Sequence, residues 1–159
     1  MRYAVAVAAF LVLALMGGAN PAAAKDLPAA GLSNMDVVNW LKSHGLKAAI
    51  KHDEVAKMDY VATSANSINF NIYLYACDHG ACRSVQYSAN WTGMSTVPVT
   101  QINDWNNRKR YVRAYLTPGG AIFGEYDVDI GPGGTWEQLN YSLERWETML
   151  GQLDTFLRS

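Results

Sequence analysis

Apolar positions recur at helical spacing in some stretches and alternate strictly in others, and the switches mark the elements. After Ser33, the residues Val37, Val38, Trp40 and Leu41 fall on one helical face; Ser33 and Asp36 can cap its start and Gly45 can end it as a left-handed residue. Residues 47–52 and 58–63 read as short strands, and Asn66-Ser67 as the turn into a third. Strict alternation follows. Ile68, Phe70, Ile72, Leu74 and Ala76 share one parity; after Cys82 it inverts, with Arg83, Val85, Tyr87, Ala89 and Trp91 in phase. Pairing Cys77 with Cys82 sets Leu74 against Val85, Ile72 against Tyr87, Phe70 against Ala89 and Ile68 against Trp91. Tyr75 with Ser84, Tyr73 with Gln86 and Asn71 with Ser88 then share the polar face. A one-residue slip would destroy this agreement, so the pattern predicts a hairpin in this register.

Residues 92–98 form a Gly/Ser/Thr/Pro loop. A short helix follows, with Val99, Ile102 and Trp105 on one face and Asn106-Asn107 as its stop. A second hairpin runs from Tyr111 to Thr117, through Pro118-Gly119-Gly120, and back along residues 121–130. It pairs Leu116 with Ile122, Ala114 with Gly124 and Val112 with Tyr126, and on its other face Arg113 with Glu125 and Tyr111 with Asp127. Gly131-Pro132-Gly133-Gly134 is a linker, and Thr135 with Gln138 forms a capping box. The stripe Trp136, Leu139, Leu143, Trp146, Leu150, Leu153 and Leu157 makes a long amphipathic helix. Its seven-residue repeat would suit a seam between two copies. The short linker and the bulk of Trp136 and Trp146 favour packing on the protein's own sheet instead, with a homodimer as the alternative. The elements add up to an α+β domain.

The first residues follow another logic. Arg2, the uncharged apolar run from Ala4 to Met16, the breakers Gly17, Gly18 and Pro21, and Ala22-Ala23-Ala24 have the layout of a secretory signal. The apolar run is shorter than the roughly 20 residues a membrane span needs. The expectation is a signal peptide over residues 1–24, a loose tether over 25–32, one domain over 33–159, and a periplasmic or secreted mature protein without a membrane span. Thirteen Lys and Arg less Arg2 leave twelve against fourteen Asp and Glu, which argues against nucleic acid as a partner.

In an exported chain the sole cysteines, Cys77 and Cys82, read as a disulfide. No hydrolase elbow, zinc-protease or phosphate-loop motif is present, and His44, His52 and His79 share no ligand spacing. The expectation is therefore no enzyme, no cofactor and no metal. Glu125, Asp127 and Asp129 on one strand face keep open an alternative, a cation-binding protein or an enzyme using that face; cross-strand pairing with Arg113 and Arg110 is the plainer reading. Arg108-Lys109-Arg110 reads as a solvated basic run.

Two stretches resemble a known family. One runs from Cys77 to Ala89. The other holds Ile102, Asn103, Trp105 and Asn106, then Arg110, Tyr111, Arg113, Ala114, Tyr115 and Leu116, and finally Asp127. Together they are similar to the YbjN family of bacterial sensory transduction regulators. The resemblance implies helices packed on one face of a curved antiparallel sheet, as in type III secretion chaperones, and no catalysis. It points to a chaperone-like binding module with a protein partner. The signal and the cysteine pair set this chain apart from cytoplasmic members.

Overall fold

The computed structural model describes residues 24–159. The expected signal peptide lies outside the described residues except for Ala24. Three helices, α1 (Asn34–Ser43), α2 (Val99–Arg108) and α3 (Trp136–Leu157), accompany six strands: β1 (Ala48–Asp53), β2 (Met58–Ala65), β3 (Ile68–Asp78), β4 (Ala81–Trp91), β5 (Arg113–Leu116) and β6 (Ile122–Asp129). The strands form one antiparallel sheet in the order β1-β2-β3-β4-β6-β5.

Local chemistry explains most boundaries. The Ser33 hydroxyl accepts from the Asp36 N–H, and the Asp36 carboxylate accepts from the Ser33 N–H at 2.8 Å, which completes the capping box of α1. Gly45 takes φ 77° at the helix end. Asn66 and Ser67, at φ 52° and 65°, turn β2 into β3. The predicted β3–β4 register holds from Asn71–Ser88 to Tyr75–Ser84 and again at Cys77–Cys82. It is interrupted at Ala76, which takes φ 53°, leaves the ladder with Arg83 and is exposed rather than on the apolar face. Cys82, assigned by parity to the polar face, is buried beside Leu32.

The segment expected to be a loose tether is pinned. Leu32 and Cys82 exchange two backbone hydrogen bonds of 2.9 Å, Leu27 N–H donates to Gly134, and Trp136 N–H donates to Lys25. Leu27 and Leu32 are buried. The strap gives partners to the Gly134 carbonyl, the first N–H of α3 and both backbone groups of Cys82 at the start of β4. The second capping box is only half formed: Thr135 accepts from the Gln138 N–H, but the Gln138 side chain turns to the Asp129 carbonyl instead of reaching back.

The second hairpin docks through β6, which pairs with β4 along its whole length, Ser84–Asp129 to Trp91–Ile122. The core lies between this sheet and α3. Trp146 stacks on Tyr87 and meets Phe70 edge-on, each at 5.7 Å, while the Tyr87 hydroxyl bonds Ser142 at 2.7 Å. Trp91 donates to Asp154 at 2.7 Å and Trp40 to Asn140 at 2.9 Å, which ties α3 to the sheet and to α1. A Cβ on Gly124 would collide with Leu153 and crowd the Trp91 ring, so the glycine lets α3 approach β6. The apolar stripe of α3 is therefore an intramolecular core, not a seam, with Met149 buried beside it.

Two boundaries and one inward position differ from the pattern. Val99 is 56% exposed, because only Ile102 and Trp105 of α2 face inward. Asn106 and Asn107 do not stop α2, which continues to Arg108. β5 begins at Arg113, not Tyr111: Tyr111 takes φ 76°, so the expected pairs Val112–Tyr126 and Tyr111–Asp127 do not form.

Candidate functional site

The residues that carry the family resemblance divide into builders and free groups. Ile102 and Trp105 are buried on α2. The Trp105 indole N–H donates to the Val112 carbonyl at 2.9 Å. Asn106 does more: its amide donates to the Ala114 carbonyl and its oxygen accepts from the Ala114 N–H, both at 2.9 Å. The inner side of β5 belongs to β6, so these are outward groups of the sheet edge. A peptide unit on an added strand would make the same two bonds. The carboxamide thus blunts the β5 edge at Ala114. Ala114 is buried opposite Gly124, Leu116 faces Ile122, and Asn103 is exposed.

On the sheet face that the helices leave bare, the charges pair. Arg113 reaches Glu125 at 2.6 and 3.1 Å and Asp127 at 3.1 Å. The Tyr115 hydroxyl donates to Glu125 at 3.0 Å, and Gln86 donates to Asp127 at 2.7 Å. Glu125 is buried. Its hydrogen bond raises the pKa of Arg113 further. Burial, followed by the bond to Glu125, pushes the Tyr115 phenol up to about 12. Of the acidic trio, Glu125 and Asp127 are engaged with Arg113, while Asp129 stays exposed. Among the described residues no group of three or more His, Cys, Asp or Glu gathers as metal ligands. The cross-strand pairing supports the plainer reading of this face. Arg110, expected to share in it, turns to Tyr111 instead.

Cys77 and Cys82 form the disulfide, with Cα atoms 3.9 Å apart at the tip of the β3–β4 hairpin. The histidines are dispersed: His52 bonds Asp59, His79 bonds Asp78, and His44 lies against the Trp40 carbonyl.

Two features had no periodic signal in the sequence. One is the free outer edge of β1. Residues 49–52 are exposed, Ile50 among them, and among the described residues no backbone group bonds to β1 from outside β2. The other is a groove of about 450 Å³ beside α3, lined in part by Tyr126, Tyr141, Ser142 and Arg145. The only local hint of it was the helical spacing of Tyr141 and Arg145.

No curated protein sequence matches the chain. Among solved structures it is similar to the crystal structure of YbjN, titled "a putative transcription regulator from E. coli", with a TM-score of 0.53 at 15% identity, over 76% of this chain and 85% of that one. At that identity the likeness speaks for the fold alone. The sequence profile of the YbjN family, described as "Putative bacterial sensory transduction regulator", matches residues 35–159. The chain therefore belongs to the YbjN family.

Proposed function

We propose that the domain is a non-catalytic binding module of the cell envelope, and that it holds an extended segment of a protein partner by strand addition to β1. The observation that carries this reading is the asymmetry of the two sheet edges. The Asn106 side chain satisfies both outward backbone groups of Ala114 in the middle of β5, whereas the outward groups of β1 have no partner among the described residues. Proteins usually blunt an exposed edge, and an unblunted one is where an extended peptide can add main-chain hydrogen bonds. Membership in a family described as regulators agrees with a protein partner, and the leader-like first residues motivate the envelope location.

The test places a photo-crosslinking amino acid at Lys51 on β1 or at Arg108 beside β5, in the protein expressed in its native host. The expected result is a discrete adduct from Lys51 and none from Arg108. Adducts only from Arg108, or none from either position, would overturn strand addition at β1. An adduct of two copies of this chain would replace the foreign partner with a homodimer. Fractionation of the same cells checks the location: a protein found only in the cytosol refutes the envelope assignment.

A further inference from the structure

Tyr111 occupies a conformation that its own chemistry disfavours. Its φ of 76° lies in the left-handed region, where a Cβ crowds the backbone, and its side chain is 51% exposed, so burial does not hold it there. The turn ends the strand that sequence alternation predicts and carries the ring toward α3. There the ring stands edge-on to Tyr126 at 6.1 Å. The Arg145 guanidinium lies 4.2 Å from its centroid and that of Arg110 lies 5.6 Å away. The Tyr126 hydroxyl also raises the pKa of Arg145.

Arg108, Arg113 and Arg158 each hold a carboxylate. Arg110 and Arg145 form no ion pair among the described residues, although both guanidinium groups lie against the Tyr111 ring, which lines a second hollow that shares Tyr141 and Arg145 with the groove. Two unpaired guanidinium groups on an aromatic platform suit an anion. Glu137 lines the groove and Glu144 stands close by, so a multiply charged anion such as phosphate would meet repulsion. A single carboxylate next to an aromatic group fits both the charge and the surface.

We propose that Arg110, Tyr111 and Arg145 form a binding site for a carboxylate carried beside an aromatic ring, as in an acidic-aromatic protein segment whose ring enters the groove between Tyr126 and Tyr141. This site is separate from β1 and stands whether or not strand addition occurs.

The test titrates the isotopically labelled protein with an end-blocked Gly-Asp-Phe-Gly peptide, with the matching Asn-Phe peptide, and with inorganic phosphate. The Asp peptide should shift backbone signals around Tyr111 and Arg145 and bind about ten-fold more tightly than the Asn peptide, weakening as salt rises. Phosphate at equal concentration should not displace it. Arg145→Gln and Tyr111→Asn should each weaken binding about ten-fold, with melting temperatures close to the parent, since Arg145 is exposed and Asn tolerates positive φ. If either variant fails to fold, Arg110→Gln carries the same expectation. Equal affinity for the two peptides, no binding at millimolar concentration, displacement by phosphate, or unchanged affinity in folded Arg145→Gln overturns the assignment.

Discussion

The side-chain amide of Asn106 bonds both backbone groups of Ala114, eight residues away, and so stands in for a missing neighbouring strand. With Trp105 on the Val112 carbonyl just before β5, it blunts the sheet edge at Ala114. The Trp-Asn pair in the family-like block therefore has a structural explanation that requires no ligand.

Asn106→Ala should lower stability by about 1–3 kcal/mol, because it leaves the outward groups of Ala114 without partners. It should also increase self-association, since β5 becomes an available edge. Thermal unfolding and light scattering over a concentration series check both. An unchanged melting temperature would show that water replaces the amide at no cost.

Trp146 is fully buried, stacked on Tyr87 and packed against Phe70. Trp146→Ala should cost about 3–5 kcal/mol, a large part of the 5–15 kcal/mol that holds a typical domain together. Denaturant unfolding measures it. A loss below about 1 kcal/mol would mean that α3 does not depend on this contact.

The disulfide closes a short loop at the hairpin tip. Loop entropy for so few residues assigns it only about 2 kcal/mol. Replacing Cys77 and Cys82 together by Ser should leave a folded protein with a lower melting temperature. Thiol labelling of the unreduced, denatured parent should find no free sulfhydryl; two labelled cysteines per chain would refute the bridge.

Tyr115 supplies a test at alkaline pH. Its folded pKa, about 12, lies above the ordinary value of 10.0. The folded state therefore keeps a proton that the unfolded chain releases between those values. The contribution of Tyr115 to stability is complete below pH 10 and declines as pH rises toward 12. Tyr115→Phe should flatten that part of the stability curve. Ultraviolet titration of the folded protein should lose one late-ionising phenol in the variant.

Much of the fold was legible because its determinants are local or lie in adjacent strands. The β3–β4 register followed from alternation on both sides of the cysteines, since a slip would have moved Ile72, Leu74, Val85 and Tyr87 off the core face together. The caps at Ser33 and Thr135 and the left-handed glycines at the turns were equally readable. The break at Tyr111 has no sequence signal, because nothing in its neighbours announces a left-handed tyrosine. The left-handed Ala76 is equally unannounced.

The candidate sites were harder to read than the strands. Arg113 with Glu125 could be anticipated as a cross-strand pair. The meeting of Arg145 with Tyr111 could not, because it joins the flank of a helix to a residue many positions earlier and follows no period.

By itself the sequence determined where the helices and the alternating strands lie, the register of β3 on β4 and of β5 on β6 where they pair, and which cysteines can pair. These are consequences of side-chain period, glycine conformation and short-range reach. Only the tertiary structure decided that β6 inserts between β4 and β5, that residues 25–32 strap the chain beside Gly134 and Cys82, that β5 is covered at Ala114 while β1 stays open, and that two arginines share one tyrosine ring. Those outcomes depend on which distant surfaces fit together once the apolar faces are buried, and hydrophobic periodicity specifies the faces without naming their neighbours.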